Sequence, residues 1–338
     1  MEDIYLIVTI DTEEDNWGFK RETLAVENIQ YISSVQTIFD SFGIKPVYLC
    51  TFPVVENPES CKILTDLFAR DKCDIGTHLH PWNTPPMVED NTDFNSQLKN
   101  LPYDLVRTKL YNLTERIAAE FNVHPSIFRA GRWGLGVNVI KALIDLEYDI
   151  DTSVTPFVTW NNYGQGADFS LFPFAGSYYI NSNGKIDRQG SHLNNILEIP
   201  VSIGFNRTPF RLWSIADNII RLPLFTKLRL PGIFDKIYLL RKIWLSPEFN
   251  DANDMLLLSK LLLKSGINLF NFTFHSTSLI PGLDPFVKTD DELKAFLKNI
   301  EDYLRGLRSI GNIISITSKE IPPLVEAGKI RCLPNCLK

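Results

Sequence analysis

Short apolar runs alternate with amphipathic segments along most of the 338-residue chain. The runs have the length and residue types of buried strands, whereas the longer segments carry apolar residues at helical spacing. Strands are predicted at 4–11, 45–50, 73–77, 126–130, 148–152, 196–201, 268–274 and 312–316. Helices are predicted near 26–42, 58–70, 101–121, 136–146, 251–265, 289–308 and 318–327. This alternation predicts an α/β fold of the βα-barrel type.

Two intervals break the alternation. Residues 153–195 are rich in aromatic residues, Gly and Asn, and we expect hairpins or long loops there. Residues 203–250 form a helical insertion that Pro209, Pro223 and Pro231 cut into short helices. Because no Ser/Gly linker marks a second domain, residues 1–338 are predicted to form a single domain that contains both insertions.

The insertion is basic and apolar, and its role stays open at this point. Residues 203–245 combine Leu, Ile, Phe and Trp with eight basic and two acidic residues. The interpretation we favour is that the apolar face packs on the barrel. Alternatively, the segment makes a peripheral contact with an anionic membrane or a lipid-linked substrate, or its cations meet the phosphate of a nucleotide-linked sugar.

Composition limits the class of protein. A hydrophobic content of 44% is enough for a full globular core, and the net charge of −6 argues against a nucleic-acid partner. No apolar run reaches the roughly 18 residues of a membrane span, and the first strand is preceded by Glu2 and Asp3 rather than by basic residues. We therefore expect a cytoplasmic protein, at most peripheral to the inner membrane face. The five cysteines lack zinc-finger spacing. We expect buried thiols, apart from the C-terminal pair of Cys332 and Cys336, which has no assigned role.

Polar residues follow the predicted strands at their carboxyl ends, which is where functional groups collect in a βα barrel. Asp11 and Glu13 lie two residues apart after the first strand, so alternation places them on one side. Taken alone, the pair is explained as well by an acidic loop ahead of a helix. His78 and His80 have the same spacing after 73–77, and two such imidazoles make a ready metal chelate. His275 follows 268–274; by itself it could be a hydrogen-bonded structural residue.

Five motifs in order give the chain a family resemblance. Asp11-Thr12-Glu13, HLHPW at 78–82, RAGRWG at 129–134, DTSVTP at 151–156 and FTFHS at 272–276 resemble the polysaccharide deacetylases of the NodB-homology group, carbohydrate esterase family 4. The resemblance spans about residues 4 to 285 and is closest to the WalW-like branch. It implies a distorted, incomplete (β/α)7 barrel with one divalent metal. The implied reaction is removal of an N-acetyl or O-acetyl group from a sugar or glycoconjugate precursor, and we favour the N-acetyl group.

The resemblance also implies roles for individual residues. Asp11 matches the catalytic base, His275 the general acid and Arg129 the arginine that holds the base. The implied metal ligands are Glu13, His78 and His80. Zinc suits this mixed set of nitrogen and oxygen ligands, and Co²⁺, Ni²⁺ or Fe²⁺ would fit too. The chain departs from the commonest family pattern, which has two adjacent aspartates and two histidines four apart, so Glu13 takes the place of the usual second aspartate.

Four further residues are weaker candidates for substrate binding. Trp82 and Trp133 could form aromatic walls against a sugar ring, and the backbone N–H groups of Arg132 and Trp133 are candidates for an oxyanion site. Asp151 would orient His275 or Arg132, although capping a turn explains it equally well. His124 and His192 look like loop residues without a role.

Two other functions stay open. One is a metal-dependent hydrolase that cleaves a different acyl amide on the same scaffold. The other is a sugar-binding or membrane-associated module without turnover. The complete set of matching residues argues against loss of activity, and a place in cell-surface polysaccharide assembly rests on family analogy alone.

Overall fold

The first apolar run of the sequence forms β1 (Asp3–Thr12), the strand from which the sheet extends on both sides. The computed structural model describes residues 2–15, 17–18, 24–170, 172, 176–187 and 194–332. The other described strands are β2 (Val47–Cys50), β3 (Asp74–Leu79), β4 (Ile127–Ala130), β5 (Ile150–Asp151), β6 (Tyr178–Asn181), β7 (Ile186–Asp187), β8 (Asn195–Glu198), β9 (Ile203–Phe205), β10 (Lys242–Trp244), β11 (Leu269–His275) and β12 (Asn312–Ser315). The described α-helices are α1 (Ile32–Phe42), α2 (Phe52–Glu56), α3 (Pro58–Ala69), α4 (Tyr103–Phe121), α5 (Val137–Asp145), α6 (Phe210–Ile220), α7 (Pro223–Lys227), α8 (Leu230–Lys236), α9 (Ala252–Lys264), α10 (Asp290–Ile310) and α11 (Ile321–Glu326).

Seven strands run parallel in the order β11, β1, β2, β3, β4, β5 and β8. Strand β12 pairs with the first half of β1, and β6 and β7 add an antiparallel hairpin beyond β8. Helices that follow the strands along the chain cover the outer face of the sheet with a continuous apolar layer. The fold is therefore a (β/α) barrel, as the alternation of the sequence predicted.

The barrel is incomplete between β8 and β11. No ladder of hydrogen bonds joins these two strands in the part of the chain that the structure describes. Single hydrogen bonds bridge the seam: the Asn271 N–H donates to Ser202 Oγ (2.9 Å), and the Thr273 N–H donates to the carbonyl of Leu245 (3.0 Å). Residues at the two ends of the insertion thus take the place of a missing strand.

The predicted elements agree with the observed ones to within a few residues. All eight predicted strands are present, although the one at 148–152 is reduced to the two residues of β5. The interval 153–195 contributes the hairpin of β6 and β7, as expected. The thiols of Cys50, Cys61 and Cys73 are free and buried, as predicted. Cys336 and His192 lie outside the described residues.

Strand alternation divides the barrel side chains into two layers. The odd positions of β1 point inward, where Tyr5 and Ile7 pack against residues such as Leu49 and Ile127 in a small apolar core. Gly76 of β3 belongs to this interior, and a Cβ there would overlap the side chains of Leu49 and Ile127. The apolar packing fills the lower part of the barrel and leaves the carboxyl ends of the strands for polar groups.

The insertion at 203–245 folds as β9, three short helices and β10, with β9 and β10 antiparallel. Helix α6 buries Phe210, Ser214 and Asp217, whereas α7 and α8 bury none of their residues. Phe234 of α8 is half-buried against the main apolar core, so the insertion packs on the barrel in part. The described helices include none that is both long and apolar enough to cross a bilayer.

Lys109 of α4 holds the loop that follows β3. Its side chain is fully buried, and Nζ donates to the carbonyls of Pro81 (2.9 Å), Thr84 (2.6 Å) and Pro86 (2.6 Å). Glu89 forms an ion pair with the same ammonium group at 3.1 Å. The loop begins directly after His80, so this buried cation fixes the backbone beside the candidate site.

We expect Lys109→Met to lower the free energy of unfolding by about 3–5 kcal/mol, because it leaves buried carbonyls and a carboxylate without their cation. Chemical denaturation followed by fluorescence would measure the change. The matched control is Lys141→Met on the exposed face of α5, for which we expect less than about 0.5 kcal/mol. Equal stability of the two variants would contradict the role given to Lys109.

Candidate active site

A layer of polar side chains crosses the upper barrel interior around Arg129, which ends β4. Arg129 Nη1 donates to Asp11 Oδ1 (2.5 Å) and Thr273 Oγ1 (2.7 Å), and Nη2 donates to Thr9 Oγ1 (2.7 Å) and Thr152 Oγ1 (3.1 Å). Its Nε donates to the carbonyl of Thr152 (3.0 Å). All five N–H donors of the buried guanidinium are used, so its position is fixed by partners on two strands and one loop.

Asp11 lies at the carboxyl end of β1 with its two carboxylate oxygens facing different partners. Oδ1 accepts from Arg129, while Oδ2 lies 3.7 Å from His275 Nε2 and 4.0 Å from His78 Nε2. Burial alone would raise the pKa of Asp11, but the charges of Arg129, His78 and His275 together hold it below its usual value. Asp11 is therefore an ionised carboxylate with one oxygen turned to the site, as a general base requires.

Glu13, His78 and His80 form a cluster beside Asp11. Glu13 Oε2 lies 2.8 Å from His80 Nε2 and 3.6 Å from His78 Nε2, and one ligand atom of each residue lies within 4.8 Å of the others. Burial raises the pKa of Glu13, but the hydrogen bonds of the two histidines outweigh burial and lower it. His78 Nδ1 donates to the carbonyl of Arg129 (3.1 Å), which orients the ring with Nε2 toward the cluster. This donor set fits a divalent metal such as zinc.

His275 ends β11 across from Asp11. Its Nδ1 lies 3.1 Å from both carboxylate oxygens of Glu248, which also accepts from the His275 backbone N–H (2.8 Å) and from Ser278 Oγ (2.7 Å). Burial would lower the pKa of His275, but the charge and hydrogen bond of Glu248, with Glu13 and Asp11, raise it to about 10. His275 is thus a cation at neutral pH, with Nε2 directed at the site.

A second buried carboxylate, Glu14, holds the far side of the loop after β3. Its oxygens accept from Trp82 Nε1 (3.1 Å), Asn83 Nδ2 (2.8 Å) and Thr51 Oγ1 (3.3 Å). Trp82 in turn packs on the His80 ring at a centroid distance of 4.1 Å. The indole is therefore fixed on both sides and supports His80.

The charged groups lie at the bottom of a cleft of about 360 Å³ with aromatic walls. Trp133 stacks on Trp160 at 6.3 Å, and Trp17 meets His275 edge-on at 5.1 Å. The other aromatic residues that line the cleft are Trp82, Tyr163, Phe249 and Phe286. Flat apolar faces around a charged floor suit a sugar ring, whose C–H faces stack on aromatic groups while its hydroxyls and amides reach polar partners.

The turn after β4 has an unusual backbone. Arg132 and Trp133 both have positive φ, 53° and 58°, a conformation that side chains with a Cβ rarely adopt. Both residues line the cleft, and Arg132 Nη1 forms an ion pair with Asp93 at 2.9 Å. Their role in binding substrate stays a prediction.

Asp151, like Arg129, is a sequence candidate that does not line the cleft. It is fully buried behind Arg129, where its Oδ1 accepts from Ser153 Oγ (2.6 Å) and its partner across β5 and β8 is Glu198. Its proposed partners are held by other groups, because Glu248 orients His275 and Asp93 binds Arg132. The predicted contact of Asp151 with substrate does not match this position.

Several residues of the site were missed in the sequence. The inward threonines of the Arg129 layer and Asn271 occupy alternate positions of apolar strands, and that alternation was the available signal. Glu248 was counted within the insertion, and nothing in its local sequence marks it as the partner of His275. Trp17, Trp160 and Phe249 come from loops far apart in the chain, so only the fold brings them together.

Gly131 leaves the space that His80 occupies. A Cβ at residue 131 would overlap the His80 imidazole, mainly at Nδ1. We expect Gly131→Ala to displace His80 and to weaken zinc affinity by about 10- to 100-fold, measured by chelator competition. Gly232→Ala is the control, because a Cβ there meets no atom within 4 Å. Unchanged zinc affinity in Gly131→Ala would show that His80 is not a ligand of the metal.

The pair of Asp151 and Glu198 makes stability depend on pH. Burial, and then the neighbouring charge of Asp151, raise the pKa of Glu198 well above its usual value, so Glu198 keeps its proton when folded. The unfolded chain releases that proton above about pH 4.5, so the pair destabilises the fold increasingly as pH rises. An amide at 198 could still accept from the Val154 N–H, as Glu198 Oε1 does (3.0 Å), and could donate to Asp151.

We therefore expect Glu198→Gln to raise the free energy of unfolding by about 1–3 kcal/mol at pH 8 and to change it little near pH 4.5. Denaturation at both pH values would measure this, with the exposed Glu115→Gln on α4 as control. An equal gain in the free energy of unfolding at both pH values would show that the effect does not come from the proton that Glu198 retains in the folded state.

Comparison with protein-family models gives no match, and neither does a search of curated protein sequences. Solved structures do match. A protein from Mycobacterium smegmatis assigned as a polysaccharide deacetylase is 12% identical, with a TM-score of 0.53 over 96% of this chain and 92% of that chain. PuuE allantoinase is 10% identical, with a TM-score of 0.55 over 96% of this chain and 90% of the other. At these identities the likeness shows the fold, a (β/α) barrel that the three chains share over nearly their full length.

Proposed function

We propose that this protein is a metal-dependent deacetylase of the NodB-homology group that removes an N-acetyl group from a sugar or glycoconjugate precursor. The observation that carries the proposal is the position of Asp11, which is held by Arg129 on one side and faces both the Glu13 cluster and His275 on the other. The motif order of the sequence and the barrel fold support it. Placement in the WalW-like branch rests on the motifs alone.

The geometry supports a role for each residue of the site. Glu13, His78 and His80 would hold the metal, which when bound lowers the pKa of a water molecule and polarises an acyl carbonyl. Asp11 takes the proton of the attacking water, and Arg129 keeps Asp11 ionised and oriented. His275 gives its Nε2 proton to the departing amine nitrogen as the C–N bond breaks, which yields acetate and the free amino sugar.

The aromatic cleft bears on the substrate class. Walls formed by Trp17, Trp133 and Trp160 leave space for a ring above the charged floor. A second candidate is hydrolysis of a cyclic amide, which the similarity of the fold to PuuE allantoinase favours. The aromatic walls favour the sugar.

Acetate release and metal content test the proposal together. The purified protein, loaded with zinc or cobalt, would be assayed with N-acetylated oligosaccharides, O-acetylated oligosaccharides and allantoin. We expect bound metal and acetate from the N-acetylated sugars. Ring opening of allantoin without acetate release would favour the second candidate, and sugar binding without either product would identify a non-catalytic module.

A further inference from the structure

The three helices of the insertion expose an unusual amount of apolar surface. Leu212, Ile219, Leu224, Leu228, Ile233 and Ile237 each expose 47% to 66% of their area, and α7 and α8 bury no residue. Scattered exposed leucines are ordinary, but a contiguous set on one segment marks a binding surface. We define these six side chains, with the exposed cations among them, as the basic apolar surface.

Helix α6 has apolar side chains on two faces. Its inward face packs Phe210 and Ile220 against the main apolar core. Its exposed face presents Leu212, Ile215 and Ile219 at helical spacing. A helix that only packed on the barrel would have a polar outer face, so the second stripe is available to a partner outside this chain.

Charge indicates what covers the surface. Residues 203–245 carry a balance of +6 in a chain whose total is −6. Arg211, Lys227, Arg229 and Lys236 are exposed, and no ion pair joins any of them to another described residue. Free cations beside protruding leucines complement an anionic lipid surface, where the cations meet phosphate and the leucines enter the acyl boundary.

The alternatives fit less well. A second copy of the chain in a twofold contact would bring equal positive charges face to face. Protein interfaces are depleted in lysine and enriched in large aromatic residues, whereas this surface is mainly Leu and Ile with Lys and Arg. Short helices without buried residues also gain stability from lying on an interface rather than from a core of their own.

We propose that α6, α7 and α8 bind the surface of an anionic membrane without crossing it. The strands at the base of the insertion lie beside the cleft, because Trp244 of β10 packs on Trp133 and Phe249, which line the cleft. Binding would therefore bring the cleft close to the membrane surface. This inference concerns a surface outside the cleft and does not depend on the proposed reaction.

Vesicle flotation with the full-length protein tests the proposal. Vesicles of phosphatidylcholine would be compared with vesicles that contain phosphatidylglycerol in addition, at low and high salt. We expect at least about tenfold stronger binding to the anionic vesicles at low salt and weaker binding as salt increases. Absence of binding to anionic vesicles would overturn the proposal.

Two variants assign any binding to the surface. Changing Arg211, Lys227, Arg229 and Lys236 together to Gln should weaken binding to anionic vesicles by at least about a hundredfold. The control changes three exposed cations of α10 to Gln, namely Lys294, Lys298 and Arg305. Equal binding by the variant and the control would locate the contact elsewhere and overturn the proposal.

The second variant, Leu224→Ser with Leu228→Ser and Ile237→Ser, should weaken binding about tenfold or more without lowering the melting temperature. Its control is Val88→Ser with Tyr111→Ser and Val137→Ser, which are also exposed.

Light scattering would detect self-association. A dimer that the Leu variant dissociates, with no vesicle binding, would show that a second copy covers the surface. Neither readout requires metal or turnover, so a failed deacetylase assay leaves this test intact.

Discussion

Replacing Asp11 by Asn should lower kcat for acetate release by about 10²- to 10⁴-fold. Asn keeps the shape of the side chain but cannot take a proton from water. Because Arg129 retains its bonds to three threonines, we expect the variant to fold and to bind metal. Steady-state kinetics on zinc-loaded protein, with metal content measured in parallel, would check the prediction.

Asp74→Asn provides the matched control. Asp74 is a buried carboxylate at the opposite end of the barrel, where it accepts from the backbone N–H and hydroxyl of Ser318. We expect this variant to lose stability but to keep kcat within about threefold of wild type, because it touches no reacting group. Comparable kcat losses in both variants would mean that Asp11 acts through stability and not as a base.

Replacing His275 by Ala should have the second large effect, a loss of about 10²- to 10⁴-fold in kcat on N-acetyl sugars. The amine that leaves must gain a proton, and His275 Nε2 is the cation directed at the site beside Asp11. An aryl acetate, whose phenolate leaves without a proton, should lose much less activity. Equal losses on both substrates would contradict the role of His275 as an acid.

A conservative variant, Glu248→Gln, tests how His275 is held in its protonated form. Glu248 is a positioning residue, because it contacts His275 and no group of the cleft floor. Removing its charge should lower the pKa of His275, so activity should decline at a lower alkaline pH than in wild type. A pH profile of kcat/KM identical to that of wild type would show that the carboxylate has only a structural role.

The parts of the molecule that the sequence predicted are those governed by local order. Strand alternation locates the barrel strands, and helical spacing locates the helices. Polar residues at the carboxyl ends of the strands then meet in one site. Asp11 and Glu13, and likewise His78 and His80, are paired by this rule. The structure brings all four within a few ångströms.

The parts that escaped prediction depend on distant segments. Glu248 approaches His275 because the chain returns from the insertion at the seam of the barrel, and no local pattern encodes that return. The insertion is a second case, because its apolar residues face both the core and the outside. Helical spacing alone does not tell which of two apolar stripes on α6 is covered by the barrel.

The antiparallel pairing of β9 with β10 joins the two ends of the insertion. The chain leaves and returns at adjacent points, and the Asn206 N–H closes the base by donating to the carbonyl of Arg241 (3.0 Å). An insertion whose two ends lie close together can change in length or in surface without altering the barrel strands. The proposed membrane contact and the proposed chemistry thus belong to separable parts of one chain.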